Sequence, residues 1–374
     1  MRRLGYALAF CLLLLRQASA DMALPGLIQE FVKVPIRLSE ERQVNLEAMV
    51  VRPDRPGRFP VVILVHGTPA ATGEAFRIAI AHQAPTALAN PAVAFAQRGY
   101  AAVSIMRRGF GHSEGPFAER LSGPCNDRDY LAVGHAAAED VSGAVVALRS
   151  EPWADPDRVL LFGHSTGGFA VIVAAANNTP GVIGVLDFAG GHGSAGSDHV
   201  CSPDRLVEDA GILGRTTRVP ALWIHAENDH YIPAPLARRM FESYTAAGAP
   251  AQLEMLPPFG VEGHRVATGP VETWWPAVEG FLSGLRLPVS VMVELPPLVS
   301  IPAPSPLNAA CAMYFNDYVA TRTDAKAFAW NAQGHCSLVI DHTADEARQE
   351  AMRLCVEAWK DCSLYAVGQS RMRG

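Results

Sequence analysis

An apolar run at residues 158–162, the turn Gly163-His164-Ser165-Thr166-Gly167-Gly168 and an apolar helical stretch at 168–177 follow one another without a spacer. A strand and a helix that are apolar on all sides need cover on both faces, which a parallel sheet between two helical layers supplies. The rest of the first 287 residues repeats this alternation. Strands are expected at 32–38 and 44–51 as an opening hairpin-like pair, then at 60–65, 101–106, 158–162, 182–188, 221–225 and 251–256. Helical patterns lie between and after them at 91–98, 136–149, 168–177, 235–247 and 272–285. The pattern predicts an α/β fold with eight strands, mostly parallel, and helices on both faces.

Proline marks where this unit ends. Six prolines between Pro288 and Pro306 favour an extended connector, so residues 288–307 are expected to join a catalytic-sized domain at 21–287 to a small module at 308–374. The module carries strand-like stretches at 327–330, 337–340 and 363–367 around a helix at 345–360, which gives it an α+β character. Residues 1–20 begin Met1-Arg2-Arg3, followed by an apolar core and Ala18-Ser19-Ala20, the pattern of a cleaved export signal. No later stretch offers the roughly 18 uninterrupted apolar residues of a membrane span. Six of the seven cysteines follow this segment, an even number that suits disulfides in an oxidising compartment, periplasmic or extracellular. With a net charge of −6 and no basic cluster, the chain is not expected to bind nucleic acid.

Glycines at 163 and 167 permit a turn too tight for side chains, and that turn lifts the Ser165 hydroxyl above the sheet edge. A serine hydroxyl needs a base to act as a nucleophile, and the base needs a carboxylate to fix its tautomer. Asp229 follows the strand at 221–225 and is the expected acid, with Glu227 as a close rival and Asp187 as a distant one. His264 follows the last strand and is the expected base. An oxyanion requires two fixed donors, for which the N–H groups of Thr166 and of Thr68, in the strand-ending His66-Gly67-Thr68-Pro69, are the candidates. His192 and Tyr231 are candidates for substrate contact. No zinc-protease or phosphate-loop motif occurs, and neither a metal site nor a cofactor is expected.

The motifs His66-Gly67-Thr68-Pro69, Arg107-Arg108-Gly109-Phe110-Gly111-His112-Ser113, the Gly163 to Gly168 turn, Asp229 and His264 together make residues 30–287 resemble an alpha/beta-hydrolase. Within that superfamily the chain is similar to exported, serine-dependent relatives of dienelactone hydrolase. True dienelactone hydrolases use a cysteine where Ser165 stands, so their lactone specificity does not transfer. The resemblance implies a serine hydrolase that cleaves a small-molecule carboxylic ester through an acyl-enzyme, with the Arg107 to Ser113 segment bracing the site. The alternatives are an amidase or peptidase with the same triad, or a cell-envelope binding protein with an inert hydrolase domain. A cell-envelope partner would engage the C-terminal module. Cys125 and Cys201 both follow strands at the sheet edge that carries Ser165, and a bond between them is expected to staple two walls of the site.

Overall fold

The computed structural model describes residues 24–39 and 42–372; the expected export signal at 1–20 lies outside them. Ten strands belong to the first part of the described chain: β1 (Leu27–Arg37), β2 (Gln43–Pro53), β3 (Phe59–Val65), β4 (Ala101–Ile105), β5 (Ala154–His164), β6 (Val182–Phe188), β7 (Ser194–Gly196), β8 (His199–Val200), β9 (Ala221–Ala226) and β10 (Ala251–Leu256). Eight of them form one sheet in the order β1-β2-β4-β3-β5-β6-β9-β10, and β7 pairs with β8 in a separate ribbon. β1, β2 and β4 pair antiparallel, and every pairing from β4 through β3 to β10 is parallel. This is the alpha/beta-hydrolase fold.

Around the sheet run α1 (Gly73–Ala81), α2 (Ala89–Gln97), α3 (Tyr130–Leu148), α4 (Thr166–Ala176), α5 (Pro203–Thr216), α6 (Ala234–Ala246) and α7 (Trp275–Gly284). All seven residues of β3 are buried, because its two faces meet different helices. Val61, Ile63 and Val65 pack into one core with α3, α4, α5 and α6, and Val62 and Leu64 pack into another with α2 and α7. α3 is long and apolar enough to cross a membrane, but half of its apolar window is buried within the protein, as in a core helix. Two helices, α1 and α5, fall where the sequence reading placed none. α5 is amphipathic and packs chiefly against α6, so its partner rather than its own apolar content determines it.

Residues 286–308 run as an extended strap along α2, where the Tyr100 hydroxyl donates to Pro288 O at 2.7 Å and the Met292 N–H donates to Gln97 O at 2.8 Å. The module beyond it has α8 (Ala309–Ala320), β11 (Lys326–Trp330), β12 (Cys336–Ile340), α9 (Ala344–Trp359), β13 (Ser363–Val367) and β14 (Ser370–Arg371), with a four-stranded antiparallel sheet ordered β12-β11-β13-β14. α8 is a further helix not expected from the sequence; its Asn308 cap accepts from Cys311 N–H. Disulfides Cys311–Cys336 and Cys355–Cys362 lie within the module, while Cys125–Cys201 lies within the larger unit. The module is seated by buried polar contacts: Thr86 Oγ1 donates to Asp341 O at 2.6 Å, and Arg322 N–H donates to Asn90 Oδ1 at 3.0 Å.

Candidate active site

Parallel strands deliver their following residues to one edge of the sheet. His66 follows β3, Arg107 follows β4, Ser165 follows β5, Asp229 follows β9 and His264 follows β10. At Ser165 the backbone has φ 59° and ψ −123°, a left-handed conformation that a serine adopts only under constraint from its surroundings. Gly163 and Gly167 supply the room: a Cβ on Gly163 would lie 2.2 Å from Gly167 O, and one on Gly167 would lie 2.3 Å from Val65 O. The turn is further held by Ser165 N–H donating to Phe188 O at 2.9 Å. α4 begins immediately, at Thr166.

The structure brings Ser165, His264 and Asp229 into one line. The Ser165 hydroxyl lies 2.9 Å from His264 Nε2, and His264 Nδ1 lies 3.0 Å from Asp229 Oδ2. Asp229 Oδ1 also accepts from Tyr231 N–H and Ile232 N–H, each at 2.8 Å. Burial opposes charge on Asp229, but the His264 hydrogen bond, its field and the Ile232 N–H hold the carboxyl below its ordinary range. An ionised Asp229 accepts the Nδ1–H of His264, which leaves Nε2 as an acceptor for the Ser165 O–H. The imidazole is fixed from behind as well. His164 is half-buried and desolvation pushes it down to about 3, so its neutral ring donates Nε2–H to His264 O at 2.8 Å. Glu262 Oε1 accepts from His264 N–H at 3.0 Å, and Tyr231 stacks on the His264 ring at 4.7 Å.

Neither rival acid takes the place of Asp229 at His264 Nδ1. Glu227 is exposed and pairs with Arg238. Asp187 is buried under Gly168 and Gly190, close enough that a Cβ on Gly190 would meet Asp187 Oδ1 at 1.9 Å. His192 is buried, with its ring beside Tyr130 and Phe169, and its Nδ1 accepts from Gly193 N–H at 3.1 Å.

Thr68 and Thr166 meet, with their hydroxyls 2.8 Å apart. The Gly67 backbone passes so near the nucleophile that a Cβ there would lie 2.9 Å from Ser165 Cβ. Arg107 ties these two donor-bearing segments together. Its fully buried guanidinium donates to His66 O and, at 3.3 Å, to Thr166 Oγ1, and forms a two-pronged pair with buried Glu119. His66 completes the brace: Arg107 N–H donates to its Nε2 at 3.1 Å, so Nδ1 carries the proton and donates to Gly67 O at 2.7 Å. Glu119 lies in a loop without a periodic pattern, and no local signal marked it as the partner of Arg107.

The Cys125–Cys201 disulfide joins the segment after β4 to the segment after β6, and Ser202 Oγ donates to Cys125 O at 2.8 Å beside it. On the other side the module reaches the residue after His264. Arg265 pairs with Asp317 of α8 at 2.7 Å and lies over the Tyr314 ring. A concavity of about 440 Å³ opens there, lined by Arg265, Tyr314, Leu338 and Trp359 among others.

Residues 43–216 match the family model of X-Pro dipeptidyl-peptidase (S15 family). No curated protein sequence matches the chain. Among solved structures, it is similar to an esterase of Pyrococcus furiosus (14% identity, 68% of this chain and 90% of that one, TM-score 0.46). It is also similar to a dienelactone hydrolase-like promiscuous phosphotriesterase from metagenomic libraries (15%, 62% and 82%, 0.43). A third is the acylaminoacyl peptidase of Pyrococcus horikoshii (17%, 69% and 41%, 0.47).

Proposed function

We propose that this alpha/beta-hydrolase is an exported serine hydrolase that cleaves a carboxylic ester through an acyl-enzyme on Ser165. The observation that carries the reading is the unbroken hydrogen-bond line from Ser165 Oγ through His264 to Asp229. In this mechanism His264 Nε2 takes the Ser165 proton as Oγ attacks the ester carbonyl, and Asp229 stabilises the imidazolium that forms. The N–H groups of Thr68 and Thr166 hold the oxyanion. His264 then returns the proton to the leaving alkoxide, and water, deprotonated by the same nitrogen, releases the acid. Three disulfides suit an oxidising compartment, which supports export.

A second reading has one specific observation in its favour, the match of residues 43–216 to a peptidase family. The same proton path serves an amide, where His264 must protonate an amine. Turnover of short acyl esters against aminoacyl-proline anilides separates the two. For either substrate, Ser165→Ala and His264→Ala are expected to lower kcat by at least about a thousandfold, with circular dichroism unchanged. A fluorophosphonate probe should label the wild type at Ser165. Absence of labelling, or either variant keeping a tenth of the activity, overturns the assignment.

A further inference from the structure

Where the C-terminal module sits against β2, three side chains outside the Ser165 network converge. Glu47 comes from β2, His112 from the loop after β4, and His342 from the turn between β12 and α9. His342 Nε2 lies 3.2 Å and His112 Nδ1 lies 3.5 Å from Glu47 Oε1. The two imidazoles stack at 4.0 Å, so both present an edge to the same carboxylate. All three ligand-type atoms fall within 4.8 Å of one another.

We propose that Glu47, His112 and His342 form a binding site for a divalent transition-metal ion of the zinc type, which pins the module to the hydrolase domain. The spacing fits: ligands 2.0–2.1 Å from a tetrahedral ion stand about 3.3 Å from each other, against the 3.2 and 3.5 Å found. The ligand types fit too, since two imidazoles and one carboxylate suit Zn²⁺ and leave a fourth position for water. A proton bridges only two of these atoms at a time, whereas a metal ion bonds all three.

The surroundings are built as a ligand shell. Asp341 Oδ1 accepts from His342 Nδ1–H at 2.8 Å, which leaves Nε2 directed at Glu47, where it donates to the carboxylate in the free site and would bind an ion through its lone pair once that proton is released. Asp341 Oδ2 is itself held by His82 Nδ1 at 3.0 Å. His112 N–H donates to Glu47 Oε2 at 2.7 Å, and Lys33 Nζ anchors His112 O at 2.7 Å. The His112 side chain is 59% exposed, which leaves an entry path and lets its ring turn toward an ion. A neighbouring trio of Asp341, His342 and Glu346 is the weaker candidate, because Glu346 is engaged in capping α9 with Thr343. No sequence motif announces the site, since His112 and His342 stand 65 and 295 residues from Glu47.

The test uses the full exported chain, without an affinity tag and with disulfides intact, stripped by chelator and dialysed. Isothermal titration with Zn²⁺ should give one ion per chain with micromolar or tighter affinity, and Co²⁺ should give the intense visible bands of a four-coordinate site. Zn²⁺ should raise the Tm. Glu47→Gln and His112→Ala should each weaken binding at least about tenfold and remove the Tm gain. His112 is exposed, so its variant keeps the fold and remains informative if Glu47→Gln does not fold. Lack of saturable one-to-one Zn²⁺ uptake by the wild type, or equal affinity in His112→Ala, overturns the proposal. Neither result depends on the reaction at Ser165.

Discussion

Replacing Arg107 by methionine separates two jobs that one buried guanidinium performs. It is a counter-ion for Glu119, which is 5% exposed, and it is a brace between His66 O and Thr166 Oγ1. Loss of the counter-ion strands a buried carboxylate, which should destabilise the fold by about 3–5 kcal/mol. Removing both charges, in Arg107→Met with Glu119→Leu, should restore most of that stability, because apolar groups of similar size tolerate the same cavity. The brace is not restored. If Arg107 positions the Thr68 and Thr166 donors, the double variant should still lose about a hundredfold to a thousandfold in kcat, the range for removing one oxyanion donor. Urea unfolding followed by tryptophan fluorescence measures the first effect, and kcat on a short acyl ester measures the second. A double variant that regains wild-type kcat along with stability refutes the positioning role. A double variant no more stable than Arg107→Met refutes the buried-charge reasoning.

Gly67→Ala would place a methyl 2.9 Å from Ser165 Cβ and 3.4 Å from Oγ; if Thr68 N–H is an oxyanion donor, as proposed, its displacement should cost about a hundredfold in kcat, and full activity would refute that role. Burial pushes Asp187 up to about 8 from its ordinary 3.8, so between those values the folded chain holds a proton that the unfolded chain has released, and the contribution of Asp187 to stability falls as pH rises. Because the desolvated His66, His164, His192 and His225 have the opposite pH dependence, the effect is read as a difference: from pH 5 to 7 the stability of the wild type relative to Asp187→Asn should fall by about 3 kcal/mol, and parallel urea midpoints in the two proteins would contradict it. Cys125→Ala with Cys201→Ala opens a loop whose ends are 76 residues apart, which should cost about 4.5 kcal/mol in the chain-entropy model. An unchanged unfolding midpoint would show that the bond constrains little.

Much of the fold is readable locally. β3 is a continuous apolar run because both faces are covered, and each of the eight main-sheet strands overlaps a stretch with an apolar or alternating pattern. The Ser165 turn is legible for an equally local reason: any side chain at Gly163 or Gly167 would meet backbone within 2.3 Å, so glycine there is a direct imprint of the geometry. The positions of Asp229 and His264 follow from chain order, since residues after parallel strands must gather at one sheet edge.

The rest depends on partners distant in the chain. α8 carries no apolar stripe strong enough to read, and α5 is amphipathic but low in overall apolar content; both pack as helices against distant partners, the module's sheet and α6. Glu119 becomes the counter-ion of Arg107, and Asp187 sits under the turn rather than beside His264, because tertiary packing sets which carboxylate faces which cation. The seating of residues 308–372 rests on contacts such as Thr86 with Asp341 and Glu47 with His342, 255 and 295 residues apart. Backbone pattern and glycine placement report constraints within a few residues of themselves. A hydrogen bond or ion pair between distant segments leaves no periodicity behind, so only the folded chain reveals it.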